Sequence, residues 1–207
     1  YKGKNSNVYS TLYNRNINNI INRVNNIYND TILNRIYTNA GKATIYGIEV
    51  GSTVKFTNKV KANFGANLYN YAINGTLFNT NINTSNWQYN INSSIDFVLP
   101  YQINTQLSIN YLSERITAQG VDSRFYNPNL SISKVINKRL NIFANWNNID
   151  MGLLKSNEQA IDTWQNNFYT HTNYIYEVDV IKVGISYKMN QFGNNKFRKG
   201  EFGDQEF

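Results

Sequence analysis

The sequence predicts an all-β protein: an antiparallel transmembrane sheet of about eight long strands, with short turns at one end and long loops at the other. Three observations predict it. Apolar and polar residues alternate along stretch after stretch, as they do where one strand face meets oil and the other meets water. These stretches reach the ~9–11 residues a tilted strand needs to cross hydrocarbon, whereas strands of soluble domains run about 5–6. Aromatic residues recur along them at two heights.

Composition agrees with that reading. Of the 207 residues, 41% are hydrophobic and 14% aromatic, with 16 Tyr, and the mean hydropathy is −0.51. A soluble core of this size would hold more Leu and Val. No run nears the ~18 consecutive apolar residues of a membrane helix, which excludes a helical span and leaves a barrel open. No linker or charge block divides the chain, so one strand-bearing unit is expected over residues 1–189, with a polar tail over 190–207. Cysteine is absent, which removes disulfides and thiolate metal ligands. The net charge is +7, but the 20 Lys and Arg are scattered among Asn and Thr, so no nucleic-acid partner is expected. The chain opens YKGKNSN without an apolar leader, so any signal peptide is expected upstream or removed.

Taken in order, a first strand covers 7–17 and runs into an Asn-rich, almost low-complexity loop over 14–29. The second returns through 33–57, with Tyr46, Ile48, Val50, Val54 and Phe56 opposed by Gly47, Glu49, Gly51, Thr53 and Lys55. After a tight turn at Asn58 and Lys59, a third strand sets Val60, Ala62, Phe64, Ala66 and Leu68 against Lys61, Asn63, Gly65 and Asn67. A polar loop over 74–85 leads to the clearest stretch, 86–100. There Trp87, Tyr89, Ile91, Ile95, Phe97 and Leu99 share one parity, and Gln88, Asn90, Asn92, Ser94 and Asp96 the other.

Pro100 marks the next tight turn, because a turn has no use for its missing N–H. A fifth strand follows over 102–116. Beyond Gly120 to Ser123 a sixth carries Tyr126, Leu130, Ile132 and Ile136, and turns at Asn137 and Lys138. The seventh carries Leu140, Ile142, Ala144 and Trp146, a long loop covers 151–166, and the eighth ends with Ile181, Val183, Ile185 and Tyr187. The turns at 58, 100 and 138 are 42 and 38 residues apart, so each strand pair repeats with nearly one length.

The candidate residues follow from parity and height. Tyr46, Tyr89, Tyr111, Tyr126 and Trp146 form an upper aromatic girdle, and Phe56, Phe97 and Tyr187 a lower one. Tyr69 and Tyr176 sit at similar heights on the opposite parity, so each needs a bulge or faces the lumen. Glu49, Lys55, Lys61, Asp96 and Glu114 fall on the polar parity and should face the lumen, where a charge is cheap. Phe78, Trp164, Phe168 and Tyr169 fall in expected outer loops and could stack on a ligand such as a sugar ring.

Catalysis finds no support. His171 is the single histidine, no serine stands in a G-x-S-x-G elbow, and the loop carboxylates Asp122, Asp150, Glu158 and Asp162 lack Ca²⁺-loop spacing. No cofactor and no metal are expected.

Certain stretches resemble a known family. Asn39-Ala40-Gly41-Lys42-Ala43 followed by Gly47-Ile48-Glu49-Val50 is similar to the "N-x-G-x-A…G-[IV]-E" strand of TonB-dependent outer-membrane receptors. Gln119-Gly120, Ser131-Ile132-Ser133-Lys134, Asn147-Asn148-Ile149-Asp150 and Val183-Gly184-Ile185-Ser186-Tyr187 resemble C-terminal barrel strands of the Bacteroidetes-type branch. The resemblance implies the C-terminal part of a barrel of about 22 strands around a plug. Such a receptor imports a nutrient of siderophore, glycan or peptide class. Its implied partners are outer-membrane lipid and lipopolysaccharide, the rest of the barrel and plug, TonB through the plug, and a surface lipoprotein. No plug, TonB box or signal sequence lies within the chain, so it is expected to be the last third or so of such a receptor.

Two other readings stand beside it. One is a self-contained eight-stranded barrel with a structural or adhesive role. It would have to fill a narrow interior despite Gly47, Gly51, Gly65 and Gly184 on the polar parity. The other is a membrane-embedded lipid enzyme, which needs a serine or histidine constellation that the sequence lacks.

Overall fold

A computed structural model describes residues 1–29, 32–137, 139–152, 157–165 and 168–189. Its strands are β1 (Ser6–Asn18), β2 (Ile21–Asn29), β3 (Ile32–Asn39), β4 (Lys42–Lys55), β5 (Val60–Leu77), β6 (Thr80–Leu99), β7 (Ile103–Leu112), β8 (Arg115–Ile116), β9 (Gly120–Asp122), β10 (Phe125–Asn137), β11 (Leu140–Asn147), β12 (Glu158–Gln165), β13 (Phe168–Ile175) and β14 (Val180–Tyr187). Eight of them form one antiparallel sheet in the order β1-β4-β5-β6-β7-β10-β11-β14. This is the wall that the alternation predicts.

Three excursions leave the wall, all at the end opposite its tight turns. The hairpin β2–β3 lies between β1 and β4, β8–β9 between β7 and β10, and β12–β13 between β11 and β14. The last two combine into a four-stranded sheet in the order β13-β12-β9-β8.

The tight turns are built by local chemistry. Phe56 donates its N–H to the Val60 carbonyl at 3.0 Å, and Thr57 Oγ1 accepts from Lys59 N at 3.0 Å. Pro100–Gln102 makes one 3₁₀ turn. Asn137 Oδ1 accepts from the backbone N–H groups of Arg139 (3.0 Å) and Leu140 (2.9 Å), as a short Asx side chain does in a turn. Lys138, expected in that turn, lies outside the described residues, as does the tail over 190–207.

The upper end departs from expectation in five places. The polar loop expected over 74–85 is strand. β5 and β6 stay paired from Val60↔Phe97 to Leu77↔Thr80, closed by Phe78 and Asn79 at φ 48° and 64°. Two positive-φ residues in a two-residue connection are the twist-matched hairpin turn. Above the membrane no lipid covers one face continuously, and only scattered side chains such as Ile73 and Leu77 are buried, so the regular apolar signal stops while the ladder continues.

The Asn-rich stretch is likewise strand: β1 extends to Asn18, and β2 pairs with β3. The long strand over 33–57 breaks at Ala40 and Gly41 into β3 and β4. Gly41 has φ +99°, and a Cβ there would lie 2.3 Å from the Asn74 carbonyl oxygen, so backbone meets backbone at that corner. Finally, β7 ends at Leu112, and the loop expected over 151–166 contains β12.

Among the described residues no second layer covers the apolar face of the wall. Large side chains stand open there, including Trp87 at 52% exposure, Ile95 at 39% and Val183 at 73%. Among the described residues the buried apolar side chains are Val24, Ala40, Ala43, Ile73, Leu77 and Tyr126. Most of these belong to the upper end, where Ala43 pairs with Ile73 beside the Gly41 corner. A chain of this length with so small a core buries its oily surface in something other than itself.

Candidate functional site: the polar face and its roof

Ladder register places the lumen candidates. Lys55, Lys61, Asp96 and Gln106 share one row of the wall. Asp96 accepts from Gln106 Nε2 at 2.6 Å and from Asn63 Nδ2 at 3.2 Å, and Asn63 also bonds Ser94 and Thr53. Glu49 accepts from the Tyr9 hydroxyl at 3.0 Å. Amide and hydroxyl partners, rather than Lys55 or Lys61, therefore hold both carboxylates among the described residues. Glu114 leaves the set: it follows the end of β7, outside the ladder, and is exposed.

On the opposite face, Tyr46 meets Trp87 edge-to-face at 5.5 Å, and Tyr89 stacks on Tyr111 at 5.6 Å. Tyr126 keeps that parity but is only 6% exposed, so it offers little surface to lipid. The upper girdle slants across the ladder. Trp146 shares a row with Val54, eight residues (roughly 27 Å) along β4 from Tyr46, while the two strands lie five steps (roughly 24 Å) apart. A level belt with that slant requires strands tilted by about 48°, close to the ~35–45° of membrane barrels.

At the lower border, Phe97 sits in the ladder beside Val60, Tyr187 pairs with Leu140, and Phe56 stands at the turn. Lys134 shares the apolar parity, and its ammonium lies 5.8 Å from the Tyr101 ring centroid at the adjacent turn. A long cation can snorkel there past the end of the hydrocarbon.

A recess of about 620 Å³ opens at the upper end of the polar face. Its floor is three ladder rows: Thr11, Glu49, Asn67 and Asn90; then Tyr13, Gly47, Tyr69 and Gln88; then Arg15, Ile45 and Tyr71. Arg115, Ile116, Thr117 and Asp122 of the β8–β9 excursion overhang it. Tyr69 therefore faces the lumen on an unbulged strand. Gly47 leaves room in the middle row, since a Cβ there would lie 2.9 Å from the Tyr13 hydroxyl. Tyr13 donates to Asn67 Oδ1 at 2.9 Å, and Arg115 pairs with Asp122 at 2.9 Å.

The roof is tied down through Gln119. Its Oε1 accepts from Asn25 N at 2.7 Å and its Nε2 donates to Asn25 O at 2.9 Å, so one side-chain amide pairs with the β2 backbone as a neighbouring strand would. Arg35 Nη1 adds a bond to the Tyr174 hydroxyl at 3.0 Å.

The four aromatic ligand candidates separate. Trp164 and Tyr169 pair directly across β12 and β13 and are 50% and 64% exposed. Phe168 opposes Gln165 on the other face of that hairpin, and Phe78 closes the β5–β6 turn. His171 Nδ1 lies 2.8 Å from Asp162 Oδ1, which also accepts from the Tyr169 hydroxyl. The Tyr169 and His171 hydrogen bonds hold the Asp162 carboxyl below the usual carboxylate range. No group of three or more potential ligands gathers among the described residues to hold a metal.

Sequence reasoning missed Arg115, Gln88 and Tyr13 as recess residues. The available signals were the polar parity of Gln88 and the off-parity height of Tyr69.

A tilted antiparallel wall, oily and aromatic-belted on one side and amide-rich on the other, defines a transmembrane β-barrel protein. The sequence itself says which kind: residues 1–187 match the Outer membrane protein beta-barrel family, and the chain belongs to that family. Membership places it in the outer membrane. No curated protein and no solved structure matches the chain.

Proposed function

We propose that this chain is the C-terminal wall of a TonB-dependent outer-membrane receptor that imports a nutrient, and that it carries no catalysis. One observation carries the reading. The eight-stranded sheet is open: among the described residues the outer edge of β14 has no neighbour, and that of β1 is met only at its start, where Lys2 bridges Asn7. Hydrocarbon cannot satisfy a row of free N–H and C=O groups, so such a wall needs further strands to close it. The wet, small-residue polar face suits a wide lumen of about 22 strands around a plug. It suits a self-contained eight-stranded barrel poorly, because that interior must be packed with side chains.

On this reading the lipid of both leaflets solvates the girdled face, TonB acts through the plug, and a surface lipoprotein has the outer sheets available to it. The test is genetic. Deleting the full-length gene and deleting TonB should abolish growth on the same nutrient. Growth that depends on the gene and ignores TonB contradicts the proposal.

A further inference from the structure

We infer that the turn end of the wall docks on a carboxylate-bearing polymer, the peptidoglycan beneath the outer membrane. The fold gathers cations that the sequence scatters. Lys2, Lys4, Lys55, Lys59, Arg139 and Lys188 all stand exposed at that end. None of their side chains has an ion-pair partner among the described residues. The one described carboxylate there, Asp96, is held by Gln106 and Asn63, and every other described carboxylate side chain lies nearer the loop end. Short turns of outer-membrane barrels face the periplasm, so this positive end is presented to whatever anion lies there.

The cations form two groups. Lys55 N donates to the Asn5 carbonyl at 2.8 Å, which sets Lys4 beside Lys55, with Lys59 in the turn just beyond. Lys188 N donates to the Arg139 carbonyl at 2.8 Å, which brings the second pair together. The β4–β5 and β10–β11 turns are four strand spacings apart, roughly 19 Å across the sheet. That exceeds the ~8–10 Å over which salt screens charge, so each group attracts an anion independently. A single exposed lysine holds an anion weakly. Two groups on one polymer act together, because the second contact forms on a molecule already bound. Peptidoglycan suits them, since its strands carry short peptides with free carboxylates repeated along the polymer.

Two other anions fit less well. A phospholipid phosphate is reached from the lipid side. Lys134 has that parity, over Tyr101, but Lys2 and Lys55 have the polar parity, and Lys59 and Arg139 sit in turns. An acidic protein would need an apolar centre between the two groups. The turns offer Thr57, Asn58, Gln102 and Asn137 there, while Phe56 and Tyr101 stand at the lipid border.

Nothing here requires nutrient import; an outer-membrane barrel with periplasmic turns is enough. The full-length protein in amine-oxide micelles is spun with purified peptidoglycan sacs, which pellet. It should pellet with them saturably at ~50 mM salt and far less at ~300 mM. Arg139→Glu with Lys188→Glu should weaken binding about tenfold, and adding Lys4→Glu with Lys59→Glu should abolish it. Lys42→Glu with Arg124→Glu makes the same charge change at exposed positions of the loop end and should leave binding unchanged. Sacs whose carboxylates have been amidated should bind nothing, a readout that needs no variant. Heat-modifiable gel mobility is compared first, so that only folded variants are scored. No pelleting, an equal loss in the loop-end pair, binding that survives amidation, or displacement by phosphatidylglycerol added to the micelles would each overturn the inference.

Discussion

The wall and the outer sheets are both antiparallel β-structure, yet different forces hold them. In the wall, alternate side chains face a solvent of their own kind. Val8, Phe64, Leu68 and Ile95 stand exposed on one face, while Asn63, Ser94 and Asp96 bond one another on the other. The outer strands have no continuous oily face to orient them, and bury only scattered side chains such as Val24 and Thr163. They are fixed by single polar contacts such as Gln119 on Asn25, and by backbone approaches too close for a side chain, as at Gly120. The wall's specificity is thus spread over many interchangeable apolar residues, while that of the outer sheets is concentrated in a few irreplaceable ones.

The contrast predicts opposite sensitivities. In the wall, Ile95→Arg puts a charge into hydrocarbon and should cost about 2–4 kcal/mol, whereas its neighbour Ser94→Arg, on the wet face, should cost under about 1 kcal/mol. Urea titration in lipid vesicles checks the pair, and equal costs would break the distinction.

In the outer sheets, Gly120→Ala drives a Cβ to within 2.0 Å of the Asp162 carbonyl oxygen and should cost about 1–3 kcal/mol of local stability. Amide exchange should rise across β9 and β12 and stay unchanged in β5 and β6. Gln119→Leu strands the Asn25 N–H and C=O in a buried position. It should cost about 1–2 kcal/mol, read as faster exchange confined to β2 and β3.

The smallest effect is that of pH. Because its partners depress the Asp162 pKa in the folded state, its stabilising bonds are fully present above the ordinary carboxylate pKa of ~3.9 and are lost as pH falls through the lower folded value. Acid should loosen the β12–β13 pairing before the wall. NMR of the His171 ring would follow it, and Asp162→Asn should abolish the transition.

The same contrast explains what could be read from sequence. The wall was legible because residues such as Trp87, Ile91 and Ile95 keep a strict period of two wherever lipid covers one face. Strand segments above the lipid were read as loops. Asn81, Ile82 and Asn83 in β6, and Asn25 and Asn26 in β2, have no single apolar side, so their pairing left no trace in hydropathy. The parity of Glu49, Lys61 and Asp96 was legible, but their partners were not, because those come from register across strands distant in the chain. The recess was illegible for the same reason. Tyr13, Tyr69, Gln88 and Arg115 meet only through ladder pairing and the fold-back of β8–β9.

The central claim is that lipid solvates the apolar face of the wall. A nitroxide scan along β6 from Trp87 to Leu99, in reconstituted vesicles, measures it directly by comparing collisions with oxygen, which concentrates in lipid, and with a water-soluble nickel complex. Oxygen access should peak at positions 89, 91, 93, 95 and 97 and nickel access at the even positions between them. A scan without a period of two, or with nickel reaching both sets alike, would contradict the account.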